Sequence, residues 1–94
     1  MENGSKIYYS KKIQTDYMLL EQMYGIKDLD PKYLAPNAIE TVKSNLISDY
    51  KGLTELMTED ELKGIRDPLF ELVSMHEKSD EAEKFKKALK DMPK

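Results

Sequence analysis

The chain has 94 residues, no cysteine and a formal net charge of −3, with 35% charged and 39% hydrophobic residues. A chain of this length is expected to form one domain with a small core. The absence of cysteine excludes disulfides and thiolate metal sites, and the negative charge disfavours broad electrostatic capture of nucleic acid. No apolar run approaches the roughly 20 residues of a membrane span. We therefore expect a soluble, cytoplasmic protein.

Fourteen of the fifteen basic residues are lysine, and Arg66 is the one arginine. Such a bias is typical of AT-rich genomes and indicates a low-GC bacterium or its phage as the source. It also removes most of the side chains that are suited to bidentate recognition of phosphate or guanine.

The first nine residues show no helical periodicity and begin with a polar run from Met1 to Ser5. We predict a flexible N-terminal tail over residues 1–9, with Tyr8 and Tyr9 as an aromatic anchor. A single helical domain is predicted over residues 10–94.

The first predicted helix starts at Ser10, which can cap it, and ends at Gly25, which can adopt the left-handed conformation. Its apolar residues recur at spacings of three and four, as expected for one helix face. That face consists of Ile13, Tyr17, Leu20 and Tyr24. Met18 and Met23 widen it, and we expect these two methionines, like Met57 and Met75, in the core.

A short turn and a second helix follow. Asp30 and Pro31 are typical of a cap followed by a helical turn. Asn37, with Glu40 three residues later, is a variant of the capping box and predicts the start of the second helix, which Gly52 is placed to end. The apolar face of this helix consists of Ile39, Val42, Leu46, Ile47 and Tyr50.

The last third of the chain predicts three more helices. Thr58 and Glu61 form a capping-box pattern at the start of the third. Because Pro68 interrupts the pattern, we expect this helix to stop near Arg66 and a fourth to begin at Pro68; a continuous, kinked helix is the alternative. A fifth helix is predicted from Ser79, with its lysines in solvent.

No segment shows the alternation of a strand, so the predicted fold class is all-α, a small irregular bundle of four to five short helices. The predicted core consists of Ile13, Tyr17, Leu20, Tyr24, Ile39, Val42, Leu46, Leu62, Ile65, Leu69, Leu72, Val73, Phe85 and Leu89. Size and helix count are similar to those of bacteriocin-immunity proteins and many phage-encoded inhibitors. This likeness is one of architecture, without a shared motif.

Few residues are suited to catalysis. His76 is the single histidine, and without a second ligand we interpret it as structural rather than as a general base or pH sensor. Glu59, Asp60 and Glu61 point in different directions around a helix, and helix capping explains them. We expect no enzymatic activity, no metal and no cofactor.

These observations favour a non-catalytic protein–protein interaction module, an adaptor, inhibitor or immunity-type protein that binds another protein. Tyrosine and methionine are enriched at protein interfaces. The predicted partner-binding residues are Tyr8, Tyr9, Tyr33, Lys84 and Lys87. A homodimer is also expected, because a small core with surplus aromatic residues gains stability by burying them against a second copy.

The alternative is a nucleic-acid-binding regulator with a helix-turn-helix-like pair over residues 59–78. The exposed positions of its second helix carry the wrong charge for base recognition: Glu71, Ser74, Glu77 and Lys78. Acidic residues also interleave with the lysines of the last helix, which is typical of a solvated face. Nucleic acid is therefore the disfavoured partner.

Overall fold

The computed structural model describes the backbone of residues 2–90 and the side chains of residues 5–90. Its four helices are α1 (Glu2–Leu29), α2 (Ala38–Leu53), α3 (Glu59–His76) and α4 (Ser79–Lys90), with a short 3-10 turn at Pro31–Tyr33. No β-strand occurs in this part of the chain, and the all-α prediction is confirmed. Met92, assigned by the spacing of apolar residues to the face of the last helix, lies outside the described residues.

The helices alternate in direction within a molecule of 42 × 25 × 18 Å. α1 packs along α2, α3 packs along α4, and α4 also packs against α2. α1 and α3 run parallel, because Lys6 contacts Glu61 near the start of both helices and Tyr24 contacts Glu77 near their ends. A groove separates the middles of these two helices.

One apolar core receives side chains from all four helices. Its buried members are Ile13, Leu20, Tyr24, Val42, Leu46, Tyr50, Leu53, Leu62, Leu69, Leu72, Val73, Phe85 and Leu89. Three predicted core residues, Tyr17, Ile39 and Ile65, are only partly buried against it. The prediction omits Tyr50 and Leu53, which are among the most buried side chains.

α1 starts earlier than its apolar spacing predicts. Residues 2–9 form its first turns, and Ser10 lies inside the helix rather than at its cap. The flexibility expected of residues 1–9 stays a prediction. Two tertiary contacts hold this extension: Lys6 Nζ lies 3.0 Å from Glu61 Oε2, and Tyr9 packs against Gly52 on α2. Packing of this kind stabilises helical turns that have weak propensity of their own.

The two glycines that were expected to end helices lie inside them. α1 continues past Gly25 to Leu29, and α2 continues past Gly52 to Leu53. No glycine in the described part of the chain has a positive φ, so neither uses the left-handed conformation of a helix terminator. Both predicted termini are therefore wrong by one to four residues.

Predictions based on side-chain caps agree better with the structure. Thr58 Oγ1 accepts a hydrogen bond from the Glu61 amide, and the Glu61 carboxylate accepts one from the Thr58 amide, which completes the capping box. Asp30 caps the 3-10 turn by accepting a hydrogen bond from the Lys32 amide. Asn37 precedes α2 as predicted, but its side chain makes no capping hydrogen bond.

α3 is one continuous helix with Pro68 in its interior. The predicted break near Arg66 is wrong, and the alternative of a continuous helix is correct. Pro68 has no N–H, so the Gly64 carbonyl one turn earlier lacks its helical donor. Both residues are exposed, and water can reach that carbonyl. The helix-turn-helix-like pair predicted over residues 59–78 is therefore not formed.

Candidate interaction surface

α1 carries apolar side chains on two opposite faces. On its inner face, Ile13, Leu20 and Tyr24 are buried in the core. At about 100° per residue, its exposed large apolar side chains fall within a sector of about 120° centred opposite that inner face. We call this sector the outer face of α1. Its members, exposed by 38% to 88%, are Ile7, Tyr8, Met18, Leu19, Ile26 and Leu29.

The outer face carries little charge. The remaining positions of the sector between residues 7 and 29 are Lys11, Thr15, Gln22 and Gly25. Lys11 is thus the one charged residue there, whereas a surface helix usually presents charged and polar residues to solvent. From Ile7 to Leu29 the strip spans about 33 Å at 1.5 Å per residue. A contiguous exposed apolar strip of this kind is typical of an interaction site.

A groove of about 540 Å³ lies beside the outer face, between α1 and α3. Most of its lining side chains are apolar: Ile13, Tyr17, Met18, Ile65, Pro68 and Leu69. Met18 belongs to both surfaces, so the groove and the outer face are continuous. The prediction of core positions is therefore wrong for Met18, and it is also wrong for Met75, which is 76% exposed. Met23 and Met57 pack against the core as expected.

The three tyrosines predicted to bind a partner occupy different environments. Tyr8 is exposed on the outer face of α1. Tyr9 is half-buried, with its ring against Gly52. Tyr33 is 74% exposed on the 3-10 turn, beyond the other end of α1. The Tyr8 and Tyr9 rings nevertheless pack edge to face with their centroids 5.3 Å apart. Tyr33 lies far from both along the 42 Å axis, so the structure brings together two of the three rings.

The two predicted lysines, Lys84 and Lys87, lie exposed on α4. Lys84 Nζ is 3.5 Å from Glu81 Oε1 on the same helix. The neighbouring Lys86 places its ammonium 5.7 Å from the centre of the Phe70 ring on α3. Mixed charges and contacts within the domain characterise this face, and partner binding by Lys84 and Lys87 stays a prediction.

A buried polar cluster joins α1 and α2 to the end of α3, and nothing in the local sequence indicates it. Glu77 Oε2 accepts hydrogen bonds from the Tyr24 hydroxyl and from Lys43 Nζ, the latter at 3.0 Å. The Lys43 and Glu77 side chains are only 7% and 9% exposed. Burial acts to raise the pKa of Glu77, but the hydrogen bonds from Tyr24 and Lys43 outweigh it and lower that pKa. Burial, followed by the contact with Glu77, raises the pKa of the Tyr24 hydroxyl.

The single histidine lies at the edge of this cluster. The rings of His76 and Tyr24 stack with their centroids 4.5 Å apart and their planes 10° from parallel. His76 Nδ1 is 3.7 Å from Asp28 Oδ2 near the end of α1. These contacts join α3 to α1. In the part of the chain that the structure describes, no three histidine or carboxylate side chains are grouped as metal ligands.

A second buried pair, Asp16 on α1 and Asp49 on α2, consists of two acids. Asp49 is 6% exposed, and its Oδ1 lies 3.6 Å from Lys12 Nζ. The Oδ2 atom of each aspartate is buried without a hydrogen-bond partner. Burial, followed by the contact with Asp49, raises the pKa of Asp16. Because like charges repel, Asp49 disfavours the ionised form of Asp16.

We expect the Asp16→Asn variant to be more stable than the wild type near neutral pH, by about 1 kcal/mol, because an amide can donate to Asp49 without repelling it. A raised pKa means that the native state binds this proton more tightly than the unfolded chain. The wild type therefore gains stability as the pH falls toward 3.8, the ordinary value of the group, and the advantage of the variant shrinks.

Urea unfolding of both proteins across that pH range measures the difference. Asp67→Asn, at an exposed position of α3, is the control for loss of one negative charge. An equal gain in the control would show that net charge, rather than the buried pair, is responsible.

The chain matches no protein-family model, no characterised protein sequence and no solved structure. None of the helices in the described part of the chain combines the length and the apolar character that crossing a bilayer requires.

Proposed function

We propose that this protein is a non-catalytic protein–protein interaction module, of the adaptor, inhibitor or immunity type, that binds another protein through the outer face of α1. The observation that carries the proposal is the strip from Ile7 to Leu29, which is apolar, exposed and interrupted by one charged residue. Depletion of charge together with exposed aromatic and methionine side chains is characteristic of the centre of protein interfaces.

The shape of the strip suits a helical partner. Side chains three and four residues apart on one helix form ridges that pack into the grooves of another. Nucleic acid requires a basic surface, and the outer face offers Lys11 alone. The continuous α3 also lacks the helix pair on which the nucleic-acid alternative depends.

The test is affinity capture from native cell lysate, with and without nuclease, followed by binding of the captured protein to the purified chain. We expect a protein that survives nuclease and whose affinity falls at least tenfold for the Met18→Glu/Leu19→Glu variant, because two carboxylates would be buried in the interface. The matched control is Ser44→Glu/Asn45→Glu, at two exposed positions of α2.

Melting temperatures of all three proteins establish that each variant folds. Capture that disappears with nuclease would favour nucleic acid instead. Capture that both glutamate variants retain would place the binding site on another surface.

A further inference from the structure

The outer face of α1 is matched in length and composition by the same face on a second copy of this chain. We infer that its partner is a second copy of this chain, bound through an antiparallel α1–α1 pair. The inference rests on the proposed interaction function and names the partner. A twofold axis through the middle of the strip lays each copy's strip on the other, as in isologous dimers.

The charges on and beside the outer face favour the antiparallel arrangement. Lys11 lies within the sector, and Lys12 and Glu21 lie about 20° and about 40° beyond its two edges. Lys12 pairs with Asp49, whereas Lys11 and Glu21, on the same side of the strip, form no ion pair among the described residues. With the axis between Thr15 and Met18, Lys11 of one copy lies within one turn of Glu21 of the other. A parallel pair would instead place Lys11 beside Lys11 and would separate the two Glu21 residues on opposite flanks. The chain is therefore electrostatically complementary to itself in one direction only.

The same axis also matches the shapes of the two strips. In an antiparallel pair, residues on the same side of the two strips face each other. The axis therefore sets Ile7 within one residue of Gly25 and Tyr8 within one residue of Ile26. A Cβ atom added to Gly25 would meet nothing within 4 Å, so the glycine leaves open space on α1. The Ile7 side chain, exposed in the monomer, can pack across that space in the dimer.

The size of the strip sets the strength of the dimer. A contact about 33 Å long and about 10 Å wide is smaller than the roughly 800 Å² per partner of stable complexes. We therefore expect a reversible dimer with a dissociation constant in the micromolar range, whose population rises with protein concentration.

Sedimentation velocity of the purified full chain, from about 1 to about 500 μM, tests the inference. The wild type is expected to pass from the 10.9 kDa monomer toward twice that mass. Met18→Glu/Leu19→Glu is expected to weaken association at least tenfold, and Ser44→Glu/Asn45→Glu to leave it unchanged. A wild type that stays monomeric throughout, or a dimer indifferent to Met18→Glu/Leu19→Glu, would overturn the inference.

A charge exchange tests the direction of the helices. K11E and E21K should each associate several-fold more weakly than the wild type, because each sets like charges together across the axis. An equimolar mixture of the two variants should form heterodimers, because every Lys11–Glu21 pair then regains opposite charges. K11E and E21K that associate as tightly as the wild type would overturn the antiparallel register, because a parallel pair sets like charges together at position 11 in all three proteins.

The outcomes separate this inference from the proposed function. A monomeric chain whose captured protein partner is lost in Met18→Glu/Leu19→Glu would retain the proposed function and refute self-association. A dimer with the expected charge dependence would support self-association and the role of the outer face of α1 as an interaction surface.

Discussion

Replacing Glu77 by alanine is expected to lower the free energy of unfolding by about 3 kcal/mol, because it leaves a buried ammonium without its carboxylate. Lys43 is almost fully buried, and the Tyr24 hydroxyl loses its acceptor in the same step. Glu40, at 3.4 Å from Lys43 Nζ and largely exposed, compensates part of the charge. The expected loss therefore lies at the lower end of the range of destabilisation that is seen when one partner of a buried ion pair is removed. It is still a large share of the free energy of unfolding of a small domain.

Urea unfolding at neutral pH measures this loss, with Glu71→Ala at an exposed position of α3 as the control. Glu77→Gln retains an acceptor for Tyr24 and should cost less than Glu77→Ala. Replacing both charged partners, as in Lys43→Met/Glu77→Leu, should recover most of the loss, since no uncompensated charge remains.

The pH dependence of the Glu77 effect has a definite sign. The pKa of Glu77 is lowered in the folded protein, so the unfolded chain binds its proton more tightly. The stabilisation is therefore complete above pH 4.5, the ordinary value of the group, and is lost as the pH falls through the folded pKa. The difference between wild type and Glu77→Gln should shrink over that range. A Glu77→Ala loss no larger than that of Glu71→Ala would show that the cluster contributes nothing to stability.

Replacing Gly52 by leucine is expected to destabilise the fold by about 2 kcal/mol, although leucine is the better helix former. A Cβ at position 52 would lie 2.7 Å from Cζ of the Tyr9 ring, so the ring must move. Gly64→Leu is the matched control, because a Cβ there meets nothing within 4 Å. We expect that control to be stabilised slightly through its helix propensity.

Thermal unfolding resolves the two outcomes, since about 1 kcal/mol shifts the Tm of a domain of this size by roughly 4–8 °C. In a Tyr9→Ala background the space of the ring is vacant, and Gly52→Leu should then be neutral or stabilising. Such a change between backgrounds is the coupling that a double-mutant cycle measures. If Gly52→Leu and Gly64→Leu behave alike in the wild type, Tyr9 does not pack on α2.

Local sequence patterns predict those parts of the fold that depend on neighbours along the chain. The spacing of Ile13, Leu20 and Tyr24 identifies the inner face of α1 because helix periodicity alone sets it. The capping box of Thr58 and Glu61 is equally local, since both of its hydrogen bonds span three residues.

The features that sequence analysis missed depend on residues far apart in the chain. Residues 2–9 are helical through contacts of Lys6 and Tyr9 with α3 and α2. Glutamate is usually exposed, so the sequence does not indicate that Glu77 is buried. Its partners Tyr24 and Lys43 lie on two other helices. No periodicity brings these three side chains together, so only the tertiary structure identifies the cluster.

The outer face of α1 was missed for a different reason. Apolar residues on opposite sides of a helix weaken the one-sided pattern by which an amphipathic helix is recognised. Met18 was therefore assigned to a single broad stripe together with Met23. A search for a second sector opposite the first would have found it from the sequence.

The two apolar faces of α1 also affect synthesis of the chain. α1 is made before every segment that covers its inner face. On α2, Gly52 contacts Tyr9 and Asp49 contacts Lys12, so these contacts join residues about 40 positions apart in the chain. The newly made helix therefore exposes both faces on the ribosome until α2 emerges.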